Sequence, residues 1–401
     1  MKFLLYLRNR SVKIRTRDIL FFSFVTMSMI AMIMFGTSRE INFGLNSNLG
    51  VTFPTGRVIE VVVNETILDE AGLRFGRQVL LVELISGEHR GRQIYVSNSL
   101  FVGHSIYAQI GQNLVIYFEE FPGATDYFAR VQSYERASAI YIIATLFIGL
   151  LVLVFGKAGL RSGFSLIYTF VVLIFFLVPS ILEGESPALL SIFSSLLIIS
   201  VSLISVMGFG KKMIVSLIGT TLGISFYVGS FLLIGRLLNV SGLHIPEMSQ
   251  LITIGFSNTA QLGELLFSGI LIASLGAIMD VAVSIASITA EIRATNQSSS
   301  FKTLFASGMK IGRDLIGSSS NTLILAFTGS FFIGLILFRA YSVDFGMLIN
   351  QTSIGIEILR AVSASSAMVL TAPATALFGS YLYSNSNNHF IFNKKGRNEN
   401  V

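Results

Sequence analysis

The residues best suited to chemistry are an aspartate and its helical neighbours inside an otherwise apolar run. Asp280 stands in Gly276-Ala277-Ile278-Met279-Asp280-Val281-Ala282-Val283-Ser284, deep within the stretch Leu265–Ile288. Ser284, Ser287 and Glu291 follow at +4, +7 and +11. At about 100° per residue a helix places all four on one stripe. Hydrocarbon offers no hydrogen bonds, so such a stripe must face protein or water. A second set opens the following apolar stretch, in Gly308-Met309-Lys310-Ile311-Gly312-Arg313-Asp314 and the residues up to Thr322. Asp314, Ser318 and Asn321 share a face there, and Arg313 adjoins them. Two consecutive helices of opposite direction, joined by the linker 293–309, thus carry polar stripes able to face each other.

Ionisable groups inside apolar spans are costly and mark ion or substrate paths. One chemistry for this pattern is a proton or ion relay, or part of a substrate path, in which Asp280 changes protonation. The other is structural: Asp280 and Asn321 tie helices together by interhelical hydrogen bonds. Enzymatic alternatives lack their residues. No H-E-x-x-H, P-loop or G-x-S-x-G motif occurs. The absence of cysteine removes disulfides, thiolate metal sites and thiol catalysis. His89, His104, His244 and His389 are scattered outside the apolar runs, so no metal site is expected. The expectation is a protein without cofactor, metal or enzymatic activity.

The element that must position these residues is a bilayer. Only 12% of the 401 residues are charged and 52% are hydrophobic, against about 25% charged in a soluble domain. Eight runs are long enough to span a bilayer or nearly so: 19–35, 137–155, 164–182, 189–207, 213–238, 265–288, 322–338 and 354–383. The fold class expected is therefore an α-helical polytopic membrane protein with about eight transmembrane helices. The net charge of +6 does not indicate nucleic acid, because no basic face with base-reading side chains accompanies it.

Lysine tests the span count independently. If spans alternate from an inside N-terminus, the inside segments are 1–18, 156–163, 208–212, 289–320 and 384–401. They hold every lysine: Lys2, Lys13, Lys157, Lys211, Lys212, Lys302, Lys310, Lys394 and Lys395. Cationic side chains collect on the cytoplasmic side, so both termini are expected there. Arg236, Arg339 and Arg360 stand at span ends, where they can snorkel. The basic segment before Ile19 and the missing A-x-A site favour an uncleaved anchor over 1–37 rather than a signal peptide.

Residues 38–136 read as ordinary soluble protein on the outer side. Gly56–Glu65, Arg77–Leu84, Gln93–Ser97, Asn113–Glu119 and Tyr127–Tyr134 are β-branched and aromatic, with turn signals at Ser86-Gly87-Glu88 and Pro122-Gly123. A small extracytoplasmic all-β domain, OB- or barrel-like, is expected. A seven-helix transmembrane domain (137–383) and a cytoplasmic tail (384–401) follow. The mixed stretch 239–263, with His244, Pro246, Glu247, Asn258 and Gln261 just ahead of Glu264, reads as amphipathic or re-entrant. Gly219-x-x-x-Gly223, Gly308-x-x-x-Gly312 and Ser363-Ala364-Ser365-Ser366-Ala367 suit close helix approach, and Pro373 suits a kink. The expected partners are the lipid bilayer and either a second copy of the chain or another membrane protein. The substrate is not legible.

The runs Gly276–Ile292 (GAIMDVAVSIASITAEI) and Leu304–Ser330 (LFASGMKIGRDLIGSSSNTLILAFTGS) resemble the YibE/F family of bacterial multi-pass membrane proteins. The layout is similar too: basic anchor, small outer β-rich domain, then a helix cluster. The resemblance implies a transporter or permease. A fainter similarity, to SecD/SecF and RND-type proteins, implies proton passage at a transmembrane aspartate, for which Asp280 is the matching position. The rival expectation is a scaffold or accessory subunit that docks a partner through its outer domain.

Overall fold

The computed structural model describes residues 16–38, 51–120, 127–240, 248–253 and 259–384. Lys2 to Arg15, the Pro122-Gly123 turn, His244, Pro246, Glu247, Asn258, His389, Lys394 and Lys395 lie outside the described residues. The chain forms two compact units, one of residues 40–150 and one of residues 1–39 with 151–401.

In the first unit, side-chain alternation makes the strands. β1 (Val51–Thr52), β2 (Thr55–Leu68), β3 (Arg74–Leu84), β4 (Gln93–Leu100), β5 (Asn113–Glu120) and β6 (Tyr127–Tyr134) form one sheet. β2, β3 and β4 pair antiparallel in sequence. β4 meets β6 in parallel at Ser97 and Arg130. β6 then pairs with β5, and β5 returns to the start of β2. The strands thus form a closed ring in the order β2-β3-β4-β6-β5. Inward residues at every second position, among them Leu80, Val82, Leu84, Ile94, Val96, Leu114, Ile116 and Phe118, are buried inside it. A buried polar pair pins the β4–β5 connection to the barrel. Asn98 donates to Gln78 at 3.0 Å and to the Ile106 carbonyl at 2.7 Å, and Gln78 accepts from the Ala108 amide at 3.0 Å. The long β2–β3 hairpin needs Gly76, whose φ is +121° and where a Cβ would strike the Glu65 carbonyl.

The helices are α1 (Thr16–Thr37), α2 (Ala137–Phe155), α3 (Lys157–Leu182), α4 (Pro187–Met207), α5 (Lys211–Leu237), α6 (Met248–Thr253), α7 (Thr259–Thr295), α8 (Phe301–Ser330), α9 (Phe332–Ala340), α10 (Phe345–Ile349) and α11 (Thr352–Ser384). Among the described residues, α1, α2, α3, α4, α5, α7 and α11 are each long and apolar enough to cross a membrane. α8 and α9 qualify together but bend by 56° at their break. This agrees with a polytopic membrane protein of seven or eight spans. α3 carries a π-helical turn over Val172–Leu177, against which α1 packs closely: a Cβ on Gly36 would lie 2.6 Å from the Phe175 carbonyl oxygen.

Several helix ends differ from those expected from hydropathy, and α3 for one begins at Lys157 rather than Phe164. The penultimate run was read as Thr322–Phe338, whereas the helix begins at Phe301 and breaks at Phe331. Its first half is amphipathic: Ser300 caps it by accepting from the Thr303 amide, and only Leu304, Gly308 and Gly312 of that half are buried. α7 overruns Leu265–Ile288 at both ends, because the extensions hold polar residues such as Gln261 and Glu264 at one end and Glu291 and Arg293 at the other.

α11 lies at the centre of the helical core, against α5, α7 and α8. The middle of its buried face is mostly small residues, including Ser363, Ala367, Thr371, Thr375 and Gly379, with Ile356, Leu359 and Tyr383 towards the ends. A Cβ on Gly219 would strike Thr375, and one on Gly223 would strike Thr371 and Ile278. Gly308 lies against Ala376 and Ile285, and Gly312 against Ala372 and Ile285. Both glycine pairs therefore sit at helix contacts, where dispersion over closely spaced backbones is the main attraction in an apolar medium. α11 continues as one helix through Pro373.

Candidate functional site

α7 uses most of its circumference for packing. Leu266, Leu271, Leu275, Ile278, Ala282 and Ile285 are buried. One stripe stays open: Gly269, Ala273, Gly276, Asp280 and Glu291 are exposed, and Ser284 and Ser287 are half-buried between them. The spacing +4, +3, +4, +4, +3, +4 keeps these seven residues on one line. A Cβ on Gly269 or Gly276 would meet nothing within 4 Å. At its N-terminal end the stripe borders a cavity of about 390 Å³ lined by Leu251 of α6, Leu265, Leu266, Gly269, Ile270 and Ala273 of α7, Phe327 of α8 and Arg360 of α11. From Ala273 to Asp280 is about two helical turns along the same face.

α8 turns Gly308 and Gly312 inward and its charges outward. Gly308 and Gly312 both flank Ile285, which brings Asp314 to within about one helical turn of the level of Asp280. From Gly312, Asp314 is about 200° round the helix and Asn321 about 180°, so both point away from the contact with α7. Arg313, Asp314, Ser318 and Asn321 are all exposed. The two polar stripes therefore share a level without meeting. No hydrogen bond or ion pair joins the side chains of Asp280, Glu291, Arg313 or Asp314 to another group among the described residues. Nor does any group of three His, Asp or Glu side chains there come close enough to hold a metal ion.

Two acidic residues stand out here that the sequence reading did not assign to the site. Glu357, in the second turn of α11, accepts from Arg360 at 3.1 Å through Oε1. Its Oε2 is buried with no partner among the described residues, and Arg360 reaches the cavity. The signal was Glu-x-x-Arg at the start of the last apolar run, where i,i+3 spacing pairs the charges. Glu264 accepts from the Ser186 hydroxyl at 2.5 Å and from the Ala188 amide at 3.2 Å. It thereby places a carboxylate on the N-terminus of α4, where the helix dipole favours negative charge. Ser268 adds a bond to the Pro187 carbonyl at 2.8 Å. No sequence spacing announces this contact, since its partners are nearly eighty residues apart.

Several long apolar helices, a central helix packed through small residues and an acidic stripe on one long helix define a membrane-type helical protein carrying a separate β unit. More specifically, the chain belongs to the YibE/F-like protein family, whose profile matches residues 143–385. That match takes in α3 to α11, and with them Asp280, Arg313 and Glu357. No curated protein and no solved structure matches the chain.

Proposed function

We propose that this protein is a transport component of a bacterial plasma membrane, in which the open stripe of α7 forms one wall of a path for protons or cations and Asp280 is the exchanging group. The observation that carries the reading is continuity. The cavity at one end of α7 and the acids Asp280 and Glu291 lie along a single line of that helix, with small or hydroxyl side chains between them. A carboxylate near the middle of an apolar helix is retained at a cost of several kcal/mol, and ion passage uses such a group. Arg360, paired with Glu357, supplies the charge at the cavity on this reading.

The distribution of lysine supports termini on the cytoplasmic side and residues 38–136 on the outer side. The ring order β2-β3-β4-β6-β5, with its one parallel contact, supports an OB-like barrel for that outer domain.

The test is Asp280→Asn in proteoliposomes with a pH- or potential-sensitive dye. The wild type should dissipate an imposed gradient. The variant should fold, melt like the wild type and lose that flux. A wild type that moves no ion under any gradient, or a variant as active as the wild type, removes the proposal.

A further inference from the structure

The outward face of α8 carries a row of exposed polar and charged groups. Lys310, Arg313, Asp314, Gly317, Ser318 and Asn321 are all exposed. Lys310, Asp314, Gly317 and Asn321 recur at +4, +3 and +4, the seam spacing of two helices lying side by side. Of the four glycines of α8, Gly308 and Gly312 are held against Ala376, Ala372 and Ile285, whereas Gly317 and Gly329 have nothing within 4 Å of where a Cβ would stand, and of these two Gly317 lies on the charged face. A mid-helix glycine costs about 1 kcal/mol relative to alanine. The inward pair offsets that cost by close packing, and Gly317 has no such return within its own chain.

The charges point to what covers this face. Arg313 and Asp314 adjoin on the helix, both outward. A two-fold axis along the helix direction would set Arg313 of one chain beside Asp314 of the other, and the reverse pair with it. Such self-complementarity is the mark of an isologous interface. Asn321 would meet its own copy about two turns further along, where an amide can both donate and accept.

We infer that α8 is the contact between two copies of this chain, arranged as parallel neighbours with Gly317 at the point of closest approach. The inference does not depend on ion movement.

The absence of native cysteine gives a clean test. Full-length Asn321→Cys and Ser318→Cys, oxidised in native membranes, should each yield a covalent homodimer. Phe170→Cys, on an exposed position of α3, should remain a monomer at the same expression level. In the Asn321→Cys background, Arg313→Asp and Asp314→Arg should each abolish the crosslink. Co-expression of the two should restore it, because one chain then offers two acids and the other two bases. The idea fails if neither cysteine variant dimerises, if Phe170→Cys dimerises equally, if both charge variants crosslink undiminished, or if the adduct contains a different protein. Should a charge variant not fold, the two cysteine positions against Phe170→Cys decide alone. Asp280→Asn added to the Asn321→Cys background should leave the crosslink unchanged, so this interface and the ion path can fail separately.

Discussion

At the scale of single residues, the smallest side chains determine most of the helical packing. Gly223 and Gly229 lie on the same helix with opposite surroundings: a Cβ on the first would strike Thr371 and Ile278, and on the second would meet open space. Gly223→Ala should therefore destabilise the protein by about 1–3 kcal/mol through overpacking. Gly229→Ala should stabilise it by up to about 1 kcal/mol through helix propensity. Thermal melts in detergent should move in opposite directions, and equal melts would contradict the assigned contacts. The sequence marked Gly219 and Gly223 by spacing, but spacing does not reveal which glycine faces a neighbour. Asp280 was legible because a charge in an apolar run is conspicuous. Its open surroundings were not, because exposure depends on how neighbouring helices rotate. Glu357 escaped notice and Arg360 was legible only as a snorkelling cation since, read singly, each is an ordinary charge near a span end.

At the scale of elements, hydropathy found the helices and misplaced the ends of those with charged or amphipathic turns. α2 was placed at its observed limits because it is apolar throughout. Hydropathy alone omits α8 up to Asn321, because a one-sided helix averages to neutral, and only the polar spacing of Asp314, Ser318 and Asn321 marks that part as helical. The junction of α4 and α7 shows a polar contact of an exposed-looking acid setting the geometry of two helices. Glu264→Gln should weaken the cap on α4 and cost about 1–2 kcal/mol. Glu185→Gln, an exposed acid close by in sequence, should change nothing. A drop in melting temperature for both, or for neither, would count against the capping role.

At the scale of the molecule, the β unit was foreseeable from alternation, since a period of two with buried inward residues dictates a half-buried strand. The observed strands lie within a few residues of those expected. Closure of the ring was not foreseeable, because it rests on the single parallel contact between β4 and β6, which no local pattern encodes. The same limit applies to the helical unit, where membership of a sequence family accompanies an arrangement set by contacts far apart in the chain. The 56° break between α8 and α9 has a consequence for sidedness. Crossings are counted as even or odd. If the bent pair crosses once, α8 to α11 make an even number of passages, and reporters fused after Lys212, Ser298 and Ser384 should all answer from the same side. If the pair folds back, the count turns odd, and only the reporter after Ser384 changes its answer. One bend at Phe331 thus sets the address of the whole C-terminal end.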